Sequence, residues 1–246
     1  MKKNYLLLLI TTLFFLNSYA QTCGFDIERA KLRQDPSYIQ LEKVAEQRIQ
    51  EAIEKRSLSK RSGAPIEVLT IPVVMHVLHL GEAVGTGINI SDAQIQSSIN
   101  NLNDFYRGQT AGSSLDFGVE FILAKRDPSN NATDGINRID ASSLAGYSDH
   151  GVNVQNSNGA SYSDIVALSN WPQTDYFNIW IVSELDGNNG GSGYQGSAYF
   201  YNDTGSHGST MMASVFGYDP GNTKGWSLNS NGDNSTVVHE LGHYFH

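Results

Sequence analysis

Residues 234–246 read NSTVVHELGHYFH. His239 and His243 are four residues apart, which on a helix puts both imidazoles on one face, one turn apart. Two ring nitrogens so placed reach a single ion. Zinc accepts neutral imidazole, and a catalytic zinc site uses three protein ligands and a water. Glu240 lies beside that face. It is placed to take a proton from a zinc-bound water and pass it to a leaving amine. Val237 and Val238 give the segment an apolar side, Asp233, Asn234 and Ser235 offer an N-cap, and the small Gly242 lets a neighbouring element pack close. The competing reading is a surface helix with two solvated histidines. An H-E-x-x-H pattern arises by chance on the order of once in a hundred chains of this composition.

Upstream, the pattern is strand, helix, strand. EVLTIPVVMHVLHL (67–80) is a β-branched run, and ISDAQIQSSINNLNDFYR (90–107) follows as a helix, with Ser91 and Gln94 as a capping box and Ile95, Ile99 and Leu102 on one face. GVEFILAKRD (118–127), DYFNIWIVSEL (175–185) and MMASVFGY (211–218) read as strands, and GNNGGSGYQGSAYF (187–200) as glycine-rich chain with an edge strand. Residues 128–160, rich in Asn, Ser, Asp and Gly, read as loop. The class is α/β: a mixed sheet backed by one helix, then the terminal helix. His76 falls within an apolar strand and reads as a packed or hydrogen-bonded histidine. Neither His76, His79 nor His207 makes a convincing further metal ligand.

The N-terminal part differs in kind. Residues 1–20 hold two lysines, an apolar run and a small-residue site at Ser18-Tyr19-Ala20, the pattern of a secretory signal cleaved after Ala20. The run is too short to span a bilayer comfortably, so no lasting membrane insertion is expected. Residues 21–61 read as a pro-segment: a helix over 37–56, entered after Asp35-Pro36, then a basic linker over 55–65 exposed to proteases. Residues 62–246 form the catalytic domain. Residues 1–61 hold 11 Lys+Arg and 7 Asp+Glu, a net of +4, whereas the rest of the chain carries −13. Opposite charges across a cleavable linker suggest a pro-segment lying on an acidic domain; two independent segments, charged only for solubility, are the alternative. The net charge of −9 argues against a nucleic-acid partner. With 39% hydrophobic residues and a mean hydropathy of −0.32, a packed core is expected. The single cysteine, Cys23, excludes a disulfide scaffold within the chain and leaves a lipid attachment site, a bond to another chain, or a free thiol.

With Leu241-Gly242 and Tyr244-Phe245 around the second histidine, the terminal segment resembles the metzincin zinc peptidases, and most closely the pappalysin family. The resemblance extends upstream through TIPVVMHVLHL, NISDAQIQSSINNLNDFYRG, VEFILAKRDP, DGINRI and YFNIWIVSEL, covering residues 66–246. It implies a twisted sheet with a backing helix and an active-site helix, the upper subdomain of such enzymes. It also implies a secreted zinc endopeptidase made as a latent precursor and acting on proteins or peptides, with His239 and His243 as metal ligands and Glu240 as general base. Calcium is implied by the family as well, with no ligand set identifiable. Cys23-Gly24 resembles a cysteine switch, in which a pro-segment thiolate fills the open zinc position. The family pattern H-E-x-x-H-x-x-G-x-x-H departs here at position 246, where Gly is expected and His246 stands. The third ligand, the Met-containing turn and the lower subdomain are expected beyond His246, so the chain reads as an inactive N-terminal fragment of the enzyme. The alternative is a secreted binding module that keeps the fold without a complete zinc site.

Overall fold

The computed structural model describes residues 29–61, 67–111, 113–155, 158–188, 193–198, 208–229 and 232–245. Residues 1–20, expected to be a signal segment, and Cys23, His207 and His246 lie outside these residues. A six-stranded sheet forms the centre. Strand β1 (Leu69–His79) is long enough to pair along one edge with two strands in succession: β2 (Val119–Leu123) against Leu69–Val73, and β3 (Ile136–Asp140) against Met75–His79. Its other edge pairs with β4 (Phe177–Val182). Beyond β4 come β6 (Gly208–Met212) and then β5 (Gly196–Ala198), the terminal strand on that side. All pairs are parallel except β5 with β6.

Period-two alternation distributes the core between two faces. Val73, Met75 and Val77 of β1 and Phe177, Ile179 and Ile181 of β4 point to one side. There they meet Ile95, Ile99 and Leu102 of α2 (Asp92–Tyr106), and Val237 and Leu241 of α5 (Ser235–Phe245). Leu78, Trp180 and Val182 point to the other side, against Tyr147, Val152 and Ile165. Burial on both faces is why β1 and β4 read as continuous apolar runs rather than half-polar strands. The second face corrects the expectation of a structureless 128–160. That segment contributes β3 and the short helix α3 (Tyr147–His150), and α4 (Tyr162–Leu168) follows it. These elements are held by tertiary packing, which their polar, Gly-rich sequence does not announce. The strand expected over 211–218 ends at Met212 and gives way to a 3-10 turn at Ala213–Val215.

Helix α1 (Pro36–Arg61) continues into the stretch expected to be a linker, as far as Arg61. Nothing in KRSLSKR breaks a helix before Gly63 and Pro65. Arg29 and Arg33 bracket the half-buried end of α1 by pairing with Glu42 at 2.6 and 2.7 Å. Lys31 donates to the Val154 carbonyl at 2.7 Å, one tie to the domain. Tyr38 and Glu42 of α1 are buried, whereas Ile39, Val44 and Ile53 are exposed. The apolar stripe is sparse, and side-chain pairs within the helix, such as Gln50 to Glu46 at 2.8 Å, satisfy its polar groups locally. No described helix is long and apolar enough to cross a membrane.

Candidate metal centre

Helix α5 is sorted by face. Val237 and Leu241 are fully buried against the sheet. Tyr244 joins them edge-on to Phe177, ring centres 4.4 Å apart. His239 and His243 look away from the core, and the Nε2 atoms of the two rings lie 3.0 Å apart. The rings stand nearly perpendicular, at 88°. An approach this close requires a proton or a cation between the nitrogens. Two imidazoles on one tetrahedral zinc would have their nitrogens about 3.3 Å apart, so the donor pair fits the ion. Glu240 is 3% exposed and points to β5. Among the described residues no group of three or more His, Cys, Asp or Glu is placed to hold a metal, so the pair supplies part of a ligand set and nothing marks a calcium site.

What holds α5 in place was not legible in sequence. Asn234 sits at φ 60°, in the left-handed region that Asn tolerates, and its carbonyl accepts the first helical bond from Val238 at 3.2 Å. Its side chain does not cap the helix. Instead its Oδ1 accepts from Ser98 Oγ at 2.7 Å, and its Nδ2 donates to the Ser98 carbonyl at 3.0 Å and to Asn101 Oδ1 at 3.3 Å. A buried asparagine thus fastens the start of α5 to the backing helix. Asp233 accepts from the Ser235 amide at 3.0 Å, serving the helix end from one residue earlier. Tyr106 of α2 reaches across with its hydroxyl to the Val238 carbonyl, 3.3 Å away, and burial holds that phenol protonated, its pKa well above the usual value.

The capping box of α2 is half formed. Ser91 Oγ accepts from the Gln94 amide at 3.2 Å, but the Gln94 side chain donates to the carbonyls of Ala213 and Phe216 instead of turning back. Gly242 is likewise not required by close packing. A β-carbon there would meet Tyr106 Oη at 3.5 Å, ordinary contact, because an apolar groove of about 1030 Å³ opens between α2 and α5, lined in part by Phe105, Phe117, Val238 and Gly242.

His76 is a buried structural histidine, as the sequence suggested. Asn178 Oδ1 accepts from the Trp171 amide, which identifies it as the oxygen, so His76 Nε2 donates to it at 2.8 Å. Nδ1 then accepts from Ser169 Oγ at 2.7 Å, and the ring stacks on Trp180 at 5.4 Å. Burial pushes its pKa down to about 4, against a smaller opposing effect of the Asn178 bond.

No family model matches the chain, and no curated protein matches it. Solved structures do. Mature mirolysin of Tannerella forsythia, in complex with a cleaved peptide, aligns at 28% identity and TM-score 0.53 over 73% of this chain and 64% of that one. Mirolysin in complex with a compound aligns at 30% identity and TM-score 0.52, over 73% and 63%. Mirolysin is a metzincin-type metalloprotease. The fold is of the metzincin type. A mutant of Tannerella forsythia promirolysin aligns over more of this chain, 91%, and 68% of its own, at 26% identity and TM-score 0.54. This chain spans under two thirds of the mature mirolysin chain.

Proposed function

We propose that this chain carries the helix-borne part of the active site of a secreted, zinc-dependent endopeptidase of the pappalysin type, made as a latent precursor and acting on peptide bonds in proteins. The observation that carries the reading is the convergence of His239 and His243 Nε2, 3.0 Å apart, on a helix whose Glu240 is buried. His239 and His243 would hold the zinc, which when bound supplies Lewis acidity toward a carbonyl oxygen and a water. Glu240 accepts the proton of the attacking water at its carboxylate and returns it to the departing amine nitrogen. Burial keeps that carboxylate away from bulk solvent and limits its swing. Among the described residues β5 is the terminal strand of the sheet, next to α5, and its outer edge is one along which an extended peptide backbone would pair.

Latency is supported by the alignments: promirolysin matches 91% of this chain and mature mirolysin 73%, a difference that fits a pro-segment ahead of the sheet. Residues 1–20 support export, and the thiolate of Cys23 would then occupy the open position of the same ion. A second reading, a secreted binding module without a complete zinc site, is favoured by one fact: only a pair of metal-ligating side chains converges among the described residues.

Glu240→Ala in the full-length protein tests the assignment. Cleavage of a fluorogenic protein substrate should fall by roughly 10²–10⁴-fold or more, with zinc content by atomic absorption unchanged. Near wild-type cleavage by the variant would remove Glu240 from the chemistry. A wild-type protein that takes up no zinc would favour the binding module.

A further inference from the structure

We propose that Gly196, on the edge strand β5, is a positioning residue for Glu240. The proposal rests on the reading of Glu240 as the general base. Thr236 and Glu240 are four residues apart and share the face of α5 that meets β5. Gln195, just before the strand, accepts at its Oε1 from Thr236 Oγ1 at 3.4 Å and from Asn229 Nδ2 at 3.4 Å. The strand therefore meets α5 at a fixed height. Directly after Gln195 the chain has no side chain. A β-carbon at position 196 would lie 2.8 Å from Glu240 Cγ, 2.8 Å from Met211 Sδ and 3.3 Å from Thr236 Cγ2. Real β-carbons do not approach other atoms at 2.8 Å, so something must move.

Among these neighbours, the thioether of Met211 is flexible and Thr236 is already close to tolerable. Glu240 Cγ is different, because it is the atom that carries the carboxyl group. Turning it aside turns both oxygens with it. Its backbone cannot retreat, since Val237 and Leu241 on the same helix are fully buried against the sheet. The left-handed conformation that explains many glycines plays no part, as Gly196 has ordinary extended backbone within a strand. The requirement for glycine is steric, and what it protects is the direction of the Glu240 side chain relative to the His239–His243 face.

The test compares Gly196→Ala with Ser197→Ala, its neighbour on the same strand, in the full-length protein. The first readout needs no activity: the carbon-13 resonance of the Glu240 side-chain carboxyl, assigned by its absence in Glu240→Gln. Gly196→Ala should shift it, and Ser197→Ala should leave it in place. The second is kinetic. A displacement on the order of 1 Å costs about 10²-fold in rate, so kcat for Gly196→Ala should fall about 100-fold, with KM within about twofold and zinc content unchanged. If Gly196→Ala does not fold, Gly196→Ala/Met211→Val removes the thioether contact, leaves the Glu240 contact, and is read in the same way. An unmoved carboxyl resonance overturns the proposal, as does a loss of kcat no larger than the loss of folded, zinc-loaded protein. Failure of Glu240 as the base would show separately, as an active Glu240→Ala protein whatever Gly196→Ala does.

Discussion

At the scale of single residues, charge and burial decide different things at the two kinds of histidine. His239 and His243 project from a helix and meet at their ring nitrogens, whereas His76 is fully buried with both nitrogens committed to Asn178 and Ser169. His76 is held neutral in the fold, its pKa pushed from 6.5 to about 4. The unfolded chain therefore binds the extra proton at higher pH than the folded one. Its contribution to stability is complete above about pH 6.5 and is lost progressively as pH falls toward 4, with a total of order 3 kcal/mol. Urea unfolding midpoints measured from pH 7 to pH 4 should fall with acid, and His76→Gln should flatten that part of the profile. An unchanged slope in the variant would assign the acid sensitivity to other groups. The His76 reading was available in sequence, because a histidine inside a β-branched run must be paired. Its partners were not, since Ser169 and Asn178 come from a loop and a strand far along the chain.

At the scale of elements, α5 shows how much a helix's sequence leaves open. Its apolar and histidine-bearing sides follow from spacing alone, and the structure sets Val237 and Leu241 against the sheet and brings the rings of His239 and His243 together. Its anchoring does not follow. Asn234 reads in sequence as one of three residues able to cap the helix, yet its side chain is spent on Ser98 and Asn101 of α2. Gly242 reads as a concession to close packing, yet it faces the groove beside Tyr106. With open space at hand, Gly242→Ala should stabilise the fold by about 0.5–1 kcal/mol, since glycine within a helix costs that much relative to alanine. Thermal unfolding checks this directly. A lowered midpoint would mean that the groove closes on Gly242 in solution.

At the scale of the whole molecule, the segment ahead of the sheet is tied to the domain by Lys31, which donates to the Val154 carbonyl, while Arg29 and Arg33 hold Glu42 within the segment itself. Charge complementarity between the basic N-terminal segment and the acidic domain was a fair expectation. Solvent screening weakens attraction between separated surface charges, and the sparse apolar stripe of α1 leaves Ile39, Val44 and Ile53 exposed. A helix end frays, and a polar, basic segment there is open to proteolysis. Maturation should therefore cut between Lys55 and Ser62, and N-terminal sequencing of the secreted form locates the cut. Cys23→Ala should shorten the latent period before activity develops. A mature start well before Lys55 or beyond Pro65 would count against the cleavage site, and an unaltered activation time course would count against the thiolate latch.

The sequence by itself determined the mixed α/β class, the apolar runs that became β1 and β4, the backing helix and the helical spacing of His239, Glu240 and His243. Each rests on a period of two or of about 3.6 residues, a signal written in neighbouring positions. That β1 and β4 lie at the centre became plain only in the structure, where burial on both faces accounts for their continuous apolar runs. Tertiary structure alone decided the rest. The segment 128–160 became β3 and α3 only because β1 offers a second half-edge and a bare apolar face. Gln94 abandoned its capping partner because two carbonyls near Phe216 needed a donor more than the helix end did. Gly196 became a neighbour of Glu240 through the pairing of β5 with β6, which joins residues far apart in the chain. Contacts of that kind leave no periodic trace, since they depend on which surfaces remain uncovered after the local elements have formed.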